Sequence, residues 1–258
     1  MLRSTITLLF AACVTIAGWP VLAFEQLPVE LPPAQPQMIK GAKAVSPEDW
    51  PATLIFLTED SGCTSTLVGN RVVLTAAHCI GNGESGAVTV GGRRVEVTCD
   101  HHSEYRKGHA DFALCLLAGE VSNVPFELIS SALAYARLKD AVTLSGYGCL
   151  TVGGRDRKFG VLHVGTATVT AVPSGTDFNT ETTGGAALCF GDSGGAGYFQ
   201  LANGVRVIVG VNSQGDADTI SRLATTATPL FVNWAMTWAA GHGVRICGLH
   251  PDATGCRS

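Results

Sequence analysis

The chain has 258 residues, enough for one large β domain or two small ones around a sizeable core. A formal net charge of −4 gives no footing for nucleic acid or an anionic membrane surface as partner. Only 15% of residues are charged, and 31 glycines with 11 prolines suit a chain of many short strands and tight turns.

Met1-Leu2-Arg3, the apolar run Ile6 to Ala17 and the small-residue end Val21-Leu22-Ala23 read as a secretory signal peptide over residues 1–23, cut after Ala23. The run is too short and wrongly flanked for a membrane span, and no later stretch of about 18 apolar residues follows. No membrane contact is therefore expected once the signal is removed, and the product is expected to be secreted or periplasmic. Residues 24–38 are proline-rich and extended, a propeptide or N-terminal arm. Removing Cys13 with the signal leaves eight cysteines, an even number that argues for four disulfides in an oxidising compartment. No C-x-x-C spacing accompanies His101, His102 and His109, so neither a metal nor another cofactor is expected.

From Thr53 to Leu117, apolar runs alternate with glycine turns. Thr53-Leu54-Ile55-Phe56-Leu57, Arg71-Val72-Val73-Leu74 and Arg94-Val95-Glu96-Val97 predict a meander of short strands. Residues 122–139 read as a linker, with helical turns around Ser131 to Arg137. The pattern resumes at Ala141 to Leu144, Val161 to Val172, Gly197 to Leu201 and Val205 to Val211. Pro229 to Trp238 carries apolar residues at helical spacing behind a proline, predicting a C-terminal helix.

Three motifs carry chemistry. Cys189-Phe190-Gly191-Asp192-Ser193-Gly194-Gly195 sets one hydroxyl among glycines that let backbone N–H groups turn inward. A serine attacks a carbonyl only when a base takes its proton. Leu74-Thr75-Ala76-Ala77-His78-Cys79 offers that base, and His109-Ala110-Asp111-Phe112-Ala113-Leu114 offers a carboxylate to orient it. In chain order these are His, Asp, Ser, and over residues 39–258 the chain resembles the chymotrypsin/trypsin-like serine endopeptidases, whose motifs are T-A-A-H-C, D-[IFL]-A-L and G-D-S-G-G. An α/β-hydrolase esterase, although it shares G-x-S-x-G, runs Ser, Asp, His and is set aside.

The resemblance implies an all-β fold, two six-stranded antiparallel β-barrels with the active site between them and a C-terminal α-helix. It implies peptide hydrolysis by His78, Asp111 and Ser193, with an oxyanion hole from the N–H groups of Gly191 and Ser193. Ile39-Lys40-Gly41-Ala42 resembles the family's mature start I-V-G-G. Cutting after Met38 by an activating protease would then free the Ile39 amine to pair with Asp192. Only 33 residues separate His78 from Asp111, short for the animal digestive enzymes, which suits a bacterial-type secreted member and leaves no room for a calcium loop. A monomer acting on protein or peptide substrates is expected. The rival on the same fold is a silent binding module, and such members usually lose one of the three residues kept here.

Family spacing pairs Cys63 with Cys79. Cys99 and Cys115 fall on strands expected to be antiparallel neighbours. Cys189 lacks its usual partner, and Cys149, in the loop beside the oxyanion hole of the family fold, substitutes; Cys247 and Cys256 then close a C-terminal loop. In the primary pocket, the position six before the nucleophile is Ala187. Ser213, Gln214 and Gly215 resemble the family's S-W-G segment. Asp218 stands at a second floor position, where it either attracts a basic side chain or fills the pocket and leaves a preference for small apolar ones.

Overall fold

The computed structural model describes residues 42–59, 61–107, 109–130, 136–149 and 159–258. Ile39 and the segments 1–23 and 24–38 lie outside the described residues, as do residues 131–135 of the expected helical turns. Ala136 and Arg137, the described remainder of that stretch, are not helical.

The first half forms six strands: β2 (Thr53–Leu57), β3 (Gly62–Gly69), β4 (Val72–Thr75), β5 (Ser85–Val90), β6 (Arg93–His101) and β7 (Ala113–Leu117), after a short β1 (Lys43–Ala44). The six close into a barrel in the order β2-β3-β4-β7-β6-β5, every pairing antiparallel. β-Branched and leucine residues make these segments strands, and closure buries β4 completely.

In the second half β9 (Ala141–Gly146), β10 (His163–Ala171), β11 (Asn179–Thr183), β12 (Ala196–Gln200), β13 (Arg206–Gly215) and β14 (Ser221–Thr225) pair antiparallel in the order β9-β10-β11-β14-β13-β12. Contact between β12 and β9 closes this second barrel. Along β10 buried and outward residues alternate, as a sheet with one face on a core requires. β8 (Leu128–Ile129), inside the linker, adds in parallel to β13, and β1 adds to β10.

The helix α1 (Pro229–His242) starts where the sequence indicates and runs four residues past Trp238. Thr228 caps it by accepting from the Phe231 N–H at 3.3 Å, Pro229 opens its first turn, and Gly243 ends it at φ 64°. Its buried side chains, Phe231, Ala235, Trp238 and Ala239, pack on the first barrel, where Phe231 meets Phe112 edge to face and Trp234 lies tilted against it.

Four disulfides join Cys63 to Cys79, Cys99 to Cys115, Cys149 to Cys189 and Cys247 to Cys256. Cys99 and Cys115 sit directly opposite in the β6–β7 ladder. Each bridge stabilises by roughly 2–4 kcal/mol. A further tie is ionic: Glu127, fully buried in the linker, is held by Arg206 of β13 and by Arg257 near the C-terminus.

Candidate active site

β4 ends at Thr75 and delivers the chain into a single 3₁₀ turn, Ala77–Cys79, which turns the His78 side chain out of the core. The Cys63–Cys79 bridge pins that turn to β3. Ahead of β7, Ala110 adopts φ 62°, a conformation non-glycine residues seldom take. A tight turn results, with the Phe112 N–H donating to the Ala110 carbonyl at 2.8 Å, and it directs Asp111 toward His78. One Asp111 oxygen accepts from the His78 backbone N–H at 3.0 Å, and the other lies 2.7 Å from His78 Nδ1. Two bonds from one carboxylate fix both the backbone and the ring plane of the histidine.

Ser213 adds a third contact, its hydroxyl donating to Asp111 at 2.5 Å. The β13–β14 register jumps from Asn212↔Leu223 to Gln214↔Arg222, which leaves Ser213 as the extra residue of a bulge. A bulge re-aims a side chain that regular alternation would send elsewhere. The sequence places Ser213 only as a pocket residue, because no local signal announces an insertion in a ladder. Burial pushes the Asp111 carboxyl up, but hydrogen bonds from His78 and Ser213 outweigh it and hold the group below its ordinary value.

Ser193 and His78 line one cavity of about 470 Å³, together with Ser213, Gln214 and Gly215. The orientation of the nearby N–H groups follows from where their carbonyl partners are tied. In a trans peptide N–H and C=O point opposite ways. The Phe190 carbonyl accepts from the Cys149 N–H at 2.8 Å, so the Gly191 N–H points away from that contact. The Asp192 carbonyl accepts from the Gly195 N–H at 3.0 Å and from Asn212 Nδ2 at 3.1 Å, so the Ser193 N–H likewise points away from those contacts. Gly191 needs φ 97°, and a Cβ there would meet the Phe159 ring at 2.7 Å.

Asp192 is fully buried, its two oxygens accepting from the N–H groups of Gly148 and Cys189 at 2.8 Å. Burial outweighs those bonds and pushes its carboxyl up to about 7.

Two expected pocket residues do not line the cavity. Ala187 is buried at 3% exposure, and its neighbour Leu188 lines the wall instead. Asp218 is replaced there by Ala217. The cause is the loop's own turn: one oxygen of Asp216 accepts from the backbone N–H groups of Asp218, Thr219 and Ile220, and the other from the Thr219 hydroxyl. With Ala217 at φ 57°, the chain wraps around Asp216 and brings Ala217 to the cavity. His78 also borders a larger opening of about 840 Å³, whose charged lining is Glu59 and Glu84 with His101 beside them. Among the described residues, the histidine and cysteine atoms close enough to share a metal are those of Cys63, His78 and Cys79, and the two sulfurs are bonded to each other rather than available as thiolates. No helix among the described residues is long and apolar enough to cross a membrane.

The trypsin family model matches residues 39–235. Among curated relatives, "Trypsin, alkaline C" of Manduca sexta is 27% identical over 229 residues, covering 74% of this chain and 86% of that protein. A family match across that span, on a chain folded as paired six-stranded barrels, makes this chain a member of the chymotrypsin/trypsin-like serine proteases.

Proposed function

We propose that the protein is a secreted serine endopeptidase that hydrolyses peptide bonds through an acyl-enzyme. What carries the reading is one cavity bordered by both Ser193 and a histidine whose other ring nitrogen is bonded to a buried carboxylate. In this scheme Ser193 Oγ attacks the scissile carbonyl carbon while His78 takes its proton. The carbonyl oxygen becomes an anion held by the Gly191 and Ser193 N–H groups. His78 then protonates the leaving amine, the C–N bond breaks, and water releases the acyl group by the same route. Asp111 keeps the imidazole in the required tautomer.

The pocket residues support cleavage after an uncharged, apolar side chain. Leu188, Phe190 and Ala217 wall the cavity, no carboxylate among the described residues lines it, and the Asp216 carboxylate is consumed by its own loop. Cleavage of a peptide library is expected after small and medium apolar residues; cuts confined to Lys and Arg would return Asp218 to the pocket.

Synthesis as a zymogen completes the proposal. A signal over residues 1–23 directs export, an activating protease cuts after Met38, and the Ile39 amine joins Asp192, a buried carboxylate that accepts from the neutral N–H groups of Gly148 and Cys189. N-terminal sequencing of active protein is expected to begin at Ile39, and a start at Phe24 would reject the processing step. The whole reading is tested with a fluorophosphonate probe and casein. Wild-type protein is expected to label and cleave, and Ser193→Ala to do neither; an activated wild type that ignores the probe would make this a binding module.

A further inference from the structure

Thr64 lies on β3 beside Cys63, wholly buried, yet its hydroxyl and its backbone N–H both reach across to the other barrel. Its hydroxyl donates to the Gly191 carbonyl at 2.8 Å and accepts from the Tyr147 N–H at 3.0 Å. Its backbone N–H donates to the Ser193 carbonyl at 2.8 Å, and its own carbonyl accepts from the Thr75 hydroxyl at 2.9 Å. A barrel strand normally turns an apolar side chain inward, and a valine would fill the same volume. The hydroxyl here both donates and accepts, and both its partners belong to loops of the other barrel.

Those partners bracket the oxyanion segment. Gly191 has no side chain to restrain it, and its φ of 97° belongs to a region glycine can leave freely. Its N–H lies in the preceding peptide plane, and how far that plane can swing depends on the Gly191 torsions, which are confined only if the following plane is held as well. Cys149 holds the preceding one through the Phe190 carbonyl, and the Thr64 hydroxyl holds the following one through the Gly191 carbonyl. The Tyr147 bond anchors the hydroxyl and ties in the loop that carries Cys149. On the reading given above, we propose that the Thr64 hydroxyl is a positioning residue for catalysis: it keeps the Gly191 N–H aimed at the developing oxyanion and couples that aim to the barrel that carries His78 and Asp111.

The test compares Thr64→Val, which keeps the shape and deletes the hydroxyl, with Thr64→Ser, which restores it. Readouts are kcat and KM on a chromogenic peptide and affinity for the matching peptide aldehyde. That aldehyde adds Ser193 Oγ at its carbon, passes the serine proton to His78 and places its oxygen on the same N–H pair. Removing one oxyanion donor outright costs roughly 10²–10³ in kcat, so misaiming one is expected to cost roughly 10–100-fold. Thr64→Val is expected to lose that factor in kcat and in aldehyde affinity while KM stays within about threefold, and Thr64→Ser to recover most of it. Thr64→Val with wild-type kcat and aldehyde affinity would overturn the inference, as would a loss shared equally by KM. Should Thr64→Val fail to fold, Thr64→Cys, with a weak donor at the same position, is read the same way. Failure of the wild type to label with fluorophosphonate would sink the protease reading, whereas a labelled wild type with an indifferent Thr64→Val sinks only this proposal.

Discussion

Asp111 shows how one carboxylate can be both buried and ionised. Burial alone would favour the neutral acid, but the ring of His78, its backbone N–H and the Ser213 hydroxyl all bond the charged form. A carboxyl held below its unfolded value stabilises the fold above that value, and the stabilisation is lost as pH falls through the folded one. Melting temperatures between pH 2 and 6 are therefore expected to fall less steeply for Asp111→Asn than for wild type. The same variant leaves His78 in the wrong tautomer, and kcat should drop about 10⁴-fold, the size of the effect at the family's aspartate. Ser213→Ala should cost much less, on the order of tenfold, since two of the three bonds to Asp111 survive; a loss as large as that of Asp111→Asn would mean that Ser213 does more than orient the carboxylate.

At the scale of elements, α1 is a brace. Trp238 Nε1 donates to Asp100 at the end of β6 at 2.7 Å, and Phe231 and Trp234 lean on Phe112, the residue after Asp111. Trp238→Ala is expected to destabilise by roughly 3–5 kcal/mol in denaturant unfolding. Thr228→Ala, which removes only the cap, should cost about 1 kcal/mol.

This helix was legible in the sequence because its period and its proline are local signals, and strands such as Thr53–Leu57 were legible for the same reason. Cys149 and Cys189 could be paired through the resemblance to the family fold. Thr64 and the bulge at Ser213 could not be read, since a hydroxyl on an apolar strand and an extra residue in a ladder acquire meaning only from strands far away in the chain. Ala187 and Asp218 mark the limit of counting positions from a motif: the Asp216 turn re-routes the loop, and a count carries no information about its path.

For the whole molecule, the proposed activation would make the buried carboxyl of Asp192 a link between acidity and processing. A carboxyl raised to about 7 contributes stability below its unfolded value, and that contribution is lost as pH rises toward 7. A new amine beside it would restore the loss where the carboxylate is charged. On a Ser193→Ala background, the melting temperature of a chain starting at Ile39 is expected to exceed that of the unprocessed chain by a margin that widens from pH 4 to pH 8. A margin independent of pH would separate Asp192 from activation.

β1 precedes the first barrel yet adds its strand to the second, and α1 follows the second barrel yet buries its apolar side on the first. Each half thus wears the other's strap, so the two are not interchangeable modules. A chimera that joins one half of this chain to the opposite half of a relative inherits a mismatched strap at both ends. Successful exchange should require cross-over points that move 43–44 with the second barrel and 229–242 with the first.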